Sequence, residues 1–347
     1  MKKNLLFAGL IILSIFIFSE GCKKDDDSSD DIGLENPNLP GQMMTLSAIA
    51  YVADDSVPDT IKHYILNLLS DTSLTTRGNW SLAWGPGITP NNENLVYVAT
   101  NTTGDSPAFA ISIRGTNVHS IGNILSDVDV FKLVEFSYGK SGDSVSRGSM
   151  NDFNSILETK DPDNGSTLED YLKSISTSTK IPLFVTGHSL GGGLAPLIAY
   201  WLITNDQLKD KFSFSTYAFA GPGWVNKSFR DNFLSTLPLD GSFSMYVNSL
   251  DMIPYGYSNL PGIIDKNIPV ETSSLYRLII RTAQDSLTSR GIKYYNIVVA
   301  DTIGNFPVTT NPSGTNVFDS INWYDHWLMV EHNHNNYLKL LGAVPLN

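Results

Sequence analysis

Cysteine is all but absent from this chain of 347 residues: Cys22 is the only one. No intramolecular disulfide can form, so the fold must rest on its core. Positive charge is also scarce. The 23 Lys and Arg stand against 35 Asp and Glu, a formal net charge of -12. No basic cluster interrupts that excess, which argues against a phosphate-tracking groove and hence against a nucleic-acid partner. Long apolar runs are missing as well. The one at Leu5–Phe18 is shorter than the ~20 residues of an ordinary membrane-spanning helix. There is no internal repeat and no second linker, so solenoid and multidomain arrangements drop out.

The N-terminal run has a different use. Lys2 and Lys3 precede it, and a positive start followed by a short apolar stretch reads as a secretory signal, here residues 1–21. It closes on Ser19-Glu20-Gly21-Cys22, which resembles the lipobox of bacterial lipoproteins apart from Glu20. That resemblance implies acylation of Cys22 and anchoring in a membrane. Lys23-Lys24-Asp25-Asp26-Asp27-Ser28-Ser29-Asp30-Asp31 offers no side chain to bury. Residues 22–41 are therefore expected to form a flexible tether. The stretch also resembles the acidic tails of surface-exposed lipoproteins of Gram-negative bacteria. The expected location is the outer membrane or the cell surface.

The remainder, residues 42–347, has a globular composition. Short β-rich apolar runs at Leu95–Ala99, Phe109–Ile113, Leu183–Thr186, Phe214–Phe219, Met245–Asn248 and Tyr294–Val299 suit buried strands of a largely parallel sheet. Ser166-Thr167-Leu168-Glu169 looks like a capping box opening a helix that runs to about Ile175. Leu190–Ile203 is nearly charge-free and should be a buried helix, and Asn333–Leu341 reads as a final one. The alternation predicts one α/β domain with a mostly parallel central sheet flanked by helices.

The chemical signal is Leu183-Phe184-Val185-Thr186-Gly187-His188-Ser189-Leu190-Gly191-Gly192-Gly193. A β-run enters Gly-x-Ser-x-Gly and an apolar helix leaves it, which is the context of a nucleophile elbow. A bare match arises by chance on the order of 0.1 times in a chain this long; the flanking strand and helix make it specific. Gly187 and Gly191 allow the tight turn that lifts the Ser189 hydroxyl above the sheet edge. The helix start places backbone N–H groups beside it. No lysine follows Gly193, so the three glycines are not a phosphate loop.

At this point the chain resembles a family, the class 3 or fungal-type triacylglycerol lipases. Thr186–Gly192 is similar to the family's elbow. Ile113-Arg114-Gly115-Thr116 resembles its strand ending in Arg-Gly-Thr, and Asn123–Asp127 the segment after it. Phe219-Ala220-Gly221-Pro222 resembles Phe-Gly-x-Pro, and Asn248–Pro254 its Asn-x-x-Asp-x-x-Pro acid loop. The likeness runs from about Thr45 to Leu341. It departs at Ser146-Arg147-Gly148-Ser149, which lacks a His and a Phe, at Ile124, and over residues 259–315. It implies an α/β-hydrolase fold and hydrolysis of lipid esters.

A serine needs a base and a carboxylate that orients it, and in this fold they come after it in chain order as acid, then histidine. Asp251, between a strand-like run and Ile253-Pro254, is the candidate acid. Of six histidines, His63, His119 and His188 precede or adjoin the nucleophile, which leaves His326, His332 and His334. The resemblance to a closing His-x-x-x-x-Tyr-Leu selects His332. A shorter His-x-x-Tyr would select His334, which is otherwise expected as a polar surface neighbour. His188 is expected in packing or elbow hydrogen bonding. The oxyanion donors implied are Thr116 and the N–H of Leu190, and Asn117–Ile124 corresponds to the family's lid region. No cofactor and no metal are required. Asp161-Pro162-Asp163-Asn164-Gly165 resembles a calcium loop only faintly and reads as a turn. The alternatives are an esterase on short-chain, phospholipid or acylated polysaccharide substrates, and an inactive binding lipoprotein on the same scaffold.

The leader yields a first prediction. Several acyl chains hold a protein firmly at a bilayer and none do so once the cysteine is gone. Cys22→Ala should move the protein from the membrane pellet to the soluble fraction with its activity retained; equal retention in the pellet would point to another anchor.

Overall fold

The computed structural model describes residues 38–52, 57–90, 92–114, 129–239, 242–265, 274–297, 301–303 and 330–346. Among these, the chain runs through α1 (Leu39–Ile49), α2 (Pro58–Leu69), β1 (Trp80–Ile88), β2 (Leu95–Asn101), β3 (Ala108–Ile113), β4 (Leu133–Glu135) and β5 (Ser144–Ser146). It continues with α3 (Arg147–Glu158), α4 (Leu168–Ser174), β6 (Ile181–His188), α5 (Leu190–Thr204), β7 (Phe212–Phe219), α6 (Lys227–Thr236) and β8 (Ser242–Asn248). A 3₁₀ turn (Ile253–Tyr255), α7 (Leu260–Asp265), α8 (Ser274–Ser289), β9 (Asp301–Ile303) and α9 (His334–Leu340) complete it. Cys22, the signal and most of the tether lie outside the described residues.

Strand order in the seven-stranded sheet is β1-β2-β3-β6-β7-β8-β9. The first two pairings are antiparallel and the rest parallel. The parallel strands end along one edge, so the segments leaving β3, β6, β7 and β8 gather there, the usual place for a site in such a sheet. β6 is central, and its side chains alternate with the two-residue period of a strand. Leu183 and Val185 join the main core cluster with Leu194, Leu197 and Ile198 of α5. Thr186 points to the other face, where its hydroxyl meets Ser47 of α1 at 2.8 Å and the Met43 carbonyl at 3.1 Å. Helices on both faces explain why β2, β3 and β6 read as near-continuous apolar runs.

α5 is buried from Leu190 to Ile203, in keeping with its charge-free sequence. α1 is buried almost as fully, from Gly41 to Ile49, and two of its hydroxyls are satisfied locally. Thr45 and Ser47 donate back to the carbonyls of Gly41 and Met43. Asn38 caps it by accepting from the Gly41 N–H at 3.0 Å, so the first described helix starts slightly ahead of residue 42.

Five of the six anticipated strands are present. The sixth, Tyr294–Val299, is a correction as far as it is described: residues 294–297 contain an isolated bridge from Tyr295 to Val225, and the last strand among the described residues is β9. The apolar side chains of Tyr294 and Ile297 are buried, but by loop packing; the Tyr294 hydroxyl donates to the Val130 carbonyl at 2.6 Å. Periodicity over so short a run does not separate the two outcomes. The capping box also shifts by one residue. Thr167, not Ser166, caps α4, with Asp170 as its reciprocal partner, because the Ser166 carbonyl and hydroxyl serve the Trp84 indole at 3.2 Å. The turn at Asp161 is as anticipated: its carboxylate accepts from the N–H groups of Asp163 and Asn164 and, across the chain, from Gly85.

The cap is open to measurement. Thr167→Ala removes the hydroxyl that accepts from the Asp170 N–H, the side-chain half of the reciprocal pair, and should cost about 1 kcal/mol in urea unfolding. Ser166→Ala should leave α4 capped, and a larger loss there than at Thr167 would contradict the assignment.

Candidate active site

The site is built on the turn from β6 to α5. Ser189 lies at φ 59°, ψ -126°, a left-handed conformation that a side chain adopts at a cost of roughly 1–3 kcal/mol. Its N–H is tied to the Phe219 carbonyl at 2.9 Å and its carbonyl accepts from Gly193 at 3.1 Å, which holds the turn in place. The flanking glycines are required by contact. A Cβ at Gly187 would lie 2.4 Å from the Gly191 carbonyl, and one at Gly191 2.2 Å from the Ile113 carbonyl. Strand, elbow and helix therefore approach backbone to backbone. Leu190 opens α5, where N–H groups have no intrahelical acceptor.

Three of the residues expected from sequence meet here. His332 Nε2 is 2.7 Å from Ser189 Oγ, and His332 Nδ1 is 2.7 Å from Asp251 Oδ2. His332 and Asp251 are buried, at 1 % and 0 % exposure. The connecting segments come from the end of β8 and from just ahead of α9, so the union spans 143 residues of chain.

Asp251 is held by more than the imidazole. The Ile253 N–H donates to its Oδ1 at 2.9 Å and the Tyr337 hydroxyl to its Oδ2 at 2.7 Å. That hydroxyl in turn accepts from the Asn248 N–H at 3.0 Å. Burial, and then the Asp251 charge beside it, push the Tyr337 hydroxyl well above the usual tyrosine range. It thus remains a donor. The Asn248 side chain donates to the Glu331 carbonyl at 3.0 Å and its carboxylate at 2.8 Å. Asn336 reaches the same carboxylate at 3.2 Å. β8, α9 and the His332 segment are thereby knitted together. Sequence reasoning used Tyr337 as a spacing marker whose packing sets the His332 loop, and did not anticipate its bond to the acid.

The other histidines are also placed. His334 is 5.4 Å from the Tyr51 ring in a stacked pair and is only partly exposed, so the expectation of a surface neighbour is corrected. The turn that begins α9 folds it inward against α1. His188 is buried among Tyr51, His332, His334 and Tyr337, consistent with a packing role. Thr116, His119, the Asn117–Ile124 lid region and His326 lie outside the described residues.

Residues 110–258 match the family model described as lipase (class 3), a span that holds Ser189 and Asp251. No curated relative matches the chain in sequence. Among solved structures, that of M37 lipase superposes with a TM-score of 0.73 at 23 % identity, over 87 % of this chain and 92 % of that one. A lipase from Rhizopus microsporus var. chinensis gives 0.47 at 21 % identity, over 62 % and 67 %. The Rhizomucor miehei lipase in its propeptide complex gives 0.45 at 23 %, over 63 % and 62 %. The M37 likeness shows the fold, an α/β-hydrolase sheet with its helices.

Burial, and then His332, lower the His334 pKa to about 4. A histidine neutral in the fold and ordinary at ~6.5 when unfolded binds its proton first in the unfolded chain. Its contribution is complete above about pH 6.5 and falls as the pH drops towards 4. His334→Gln should therefore flatten part of the decline in urea midpoint between pH 7 and pH 5. A decline as steep as in the wild type would show that His334 does not take part.

Proposed function

We propose that this serine ester hydrolase of the lipase type cleaves acylglycerols through an acyl-enzyme on Ser189, with His332 as general base and Asp251 as the group that orients it. The observation that carries the reading is the continuous hydrogen-bonded line from Ser189 Oγ through both nitrogens of His332 to Asp251 Oδ2, at 2.7 Å for each link.

The chemistry derives from that line. His332 Nε2 takes the Ser189 proton as Oγ bonds to the ester carbonyl carbon, and the carbonyl oxygen becomes an oxyanion. The Leu190 N–H, at the positive end of a helix, is suited to stabilise it, and Thr116 is the proposed second donor; one such donor is worth on the order of 100-fold in turnover. When the tetrahedral species collapses, the bond to the leaving alcohol breaks and His332 returns the proton to that oxygen. Water then attacks the acyl group by the same path in reverse and releases the acid. Asp251 orients the imidazole and stabilises the imidazolium that forms. Every step uses side chains, backbone N–H groups and water.

The proposal extends to location. The lipobox-like Cys22 and the acidic tether support an exported lipoprotein whose catalytic domain hangs at the outer membrane or cell surface, within reach of lipid substrates.

The test is direct. A fluorophosphonate probe should label Ser189 and no other residue, and Ser189→Ala should abolish both labelling and turnover of a C2 to C16 chromogenic ester series. Asp251→Asn should stay folded and lose about 10⁴-fold in kcat, because the imidazole loses its orienting charge. Absence of label on the folded wild type would remove the hydrolase reading; turnover confined to the shortest esters would redirect it from lipase to esterase.

A further inference from the structure

His332 has two faces, and the line from Ser189 to Asp251 fixes only its edge. A ring held by its two nitrogens can still tilt about the axis that joins them. Whatever stops that tilt must touch the face of the ring. In this structure His188 packs there: its ring centroid lies 4.7 Å from that of His332, with 35° between the planes.

His188 is itself enclosed. It is 2 % exposed. Tyr337 meets it edge-on at 5.2 Å and 73°, and Tyr51 at 5.8 Å and 72°. His334 lies beyond at 6.5 Å and 86°, and the outer side of Tyr51 is stacked on His334. The ring is also anchored polarly. The Tyr51 hydroxyl donates to the His188 carbonyl at 3.0 Å and lies 3.3 Å from His188 Nδ1. With the hydroxyl proton directed to the carbonyl, the hydroxyl oxygen is free to face Nδ1 as an acceptor. Tyr51 comes from the turn after α1, 137 residues from His188.

The cluster keeps His188 uncharged. Burial is the first cause, His332 and then His334 add to it, the His332 backbone pulls weakly the other way, and the balance lies well below the usual histidine range. A second positive charge at 4.7 Å would oppose the imidazolium that the proposed reaction forms on His332. A neutral aromatic face does not.

We infer that His188 is a positioning residue: anchored by Tyr51, its neutral ring is the back wall that holds the His332 imidazole in line with Ser189 Oγ and Asp251. This rests on the hydrolase reading above and deepens it. The residue touches no reacting atom and acts through His332 alone. Its place next to the nucleophile in sequence is then functional as well as structural, since the elbow that exposes Ser189 also aims its neighbour at the base.

A positioning role separates from a purely structural one in the kinetics. It should depress kcat and leave KM in place, because substrate binding does not involve the wall, while misalignment of a reacting group costs up to about 100-fold. The experiment compares wild type, His188→Ala, His188→Phe and Tyr51→Phe on a soluble short-chain chromogenic ester. Rates of labelling by a fluorophosphonate and circular dichroism are followed in parallel. His188→Ala, which empties the wall, should lose about 10-fold to 100-fold in kcat and in labelling rate with KM within about twofold. His188→Phe, which restores a neutral ring, should recover most of that loss. Tyr51→Phe keeps the ring and removes only the hydroxyl anchor, so it should fold normally and show a smaller loss in kcat alone. It therefore decides the matter if His188→Ala does not fold. A folded His188→Ala with wild-type kcat, a loss that appears in KM, or a Tyr51→Phe indistinguishable from wild type where His188→Ala is unfolded would each overturn the inference while leaving the hydrolase reading intact. A wild type that neither labels nor turns over ester would remove both.

Discussion

The turn between β6 and α5 leaves no room for a single extra carbon at either of its flanking glycines. The Gly187 position is closed by the Gly191 carbonyl and the Gly191 position by that of Ile113. These contacts fix how α5 sits on the sheet, and they force Ser189 into a left-handed conformation with its hydroxyl clear of the backbone. The strain is sustained because α5 is buried along its whole apolar length and cannot relax without opening the core. Packing energy spread over the domain thus keeps one residue in an unfavourable conformation.

Around that fixed serine the partners arrive from far along the chain, and each is secured by groups other than the one it serves. Asp251 has a backbone donor and the Tyr337 hydroxyl before the imidazole is counted. The segment bearing His332 is tied down through Glu331 to Asn248 and Asn336. The face of the imidazole rests on His188, which Tyr51 holds in turn. Support of this kind is what the proposed reaction needs, since catalysis depends on alignment of the reacting atoms to within a fraction of an ångström.

Much of the fold was legible because its signals are local. Five strands and the helices at α4, α5 and α9 emerge from apolar runs, turns and caps within windows of a few residues. Where the local signal was divided, the expectation failed. Residues 294–297 had the composition of a strand and became a packed loop, because among the described residues their backbone pairs through a single isolated bridge to Val225. Ser166 and Thr167 are both competent caps, and the choice fell to Thr167 because Ser166 is engaged by Trp84. β1, with Gly85, Pro86 and Gly87 inside it, offered no run to recognise. It is a strand at the sheet edge, where its pairing with β2 shifts register twice.

The candidate nucleophile needed no tertiary information, since Gly-x-Ser-x-Gly between a strand and an apolar helix points to one turn geometry. The same local pattern defined the sheet that carries it, and resemblance pointed to Asp251 and His332. Resemblance favoured His332 over His334, and the tertiary structure shows where each of the two lies. Two residues apart at the start of a helix, they share composition and neighbourhood. The fold of the segment ahead of α9 sends the first to Ser189 and the second to Tyr51. The parts played by Tyr51 and Tyr337 were likewise out of reach of any reading along the chain, because a contact across more than eighty residues leaves no periodic trace. It exists only once sheet edge, first helix and last helix are brought together.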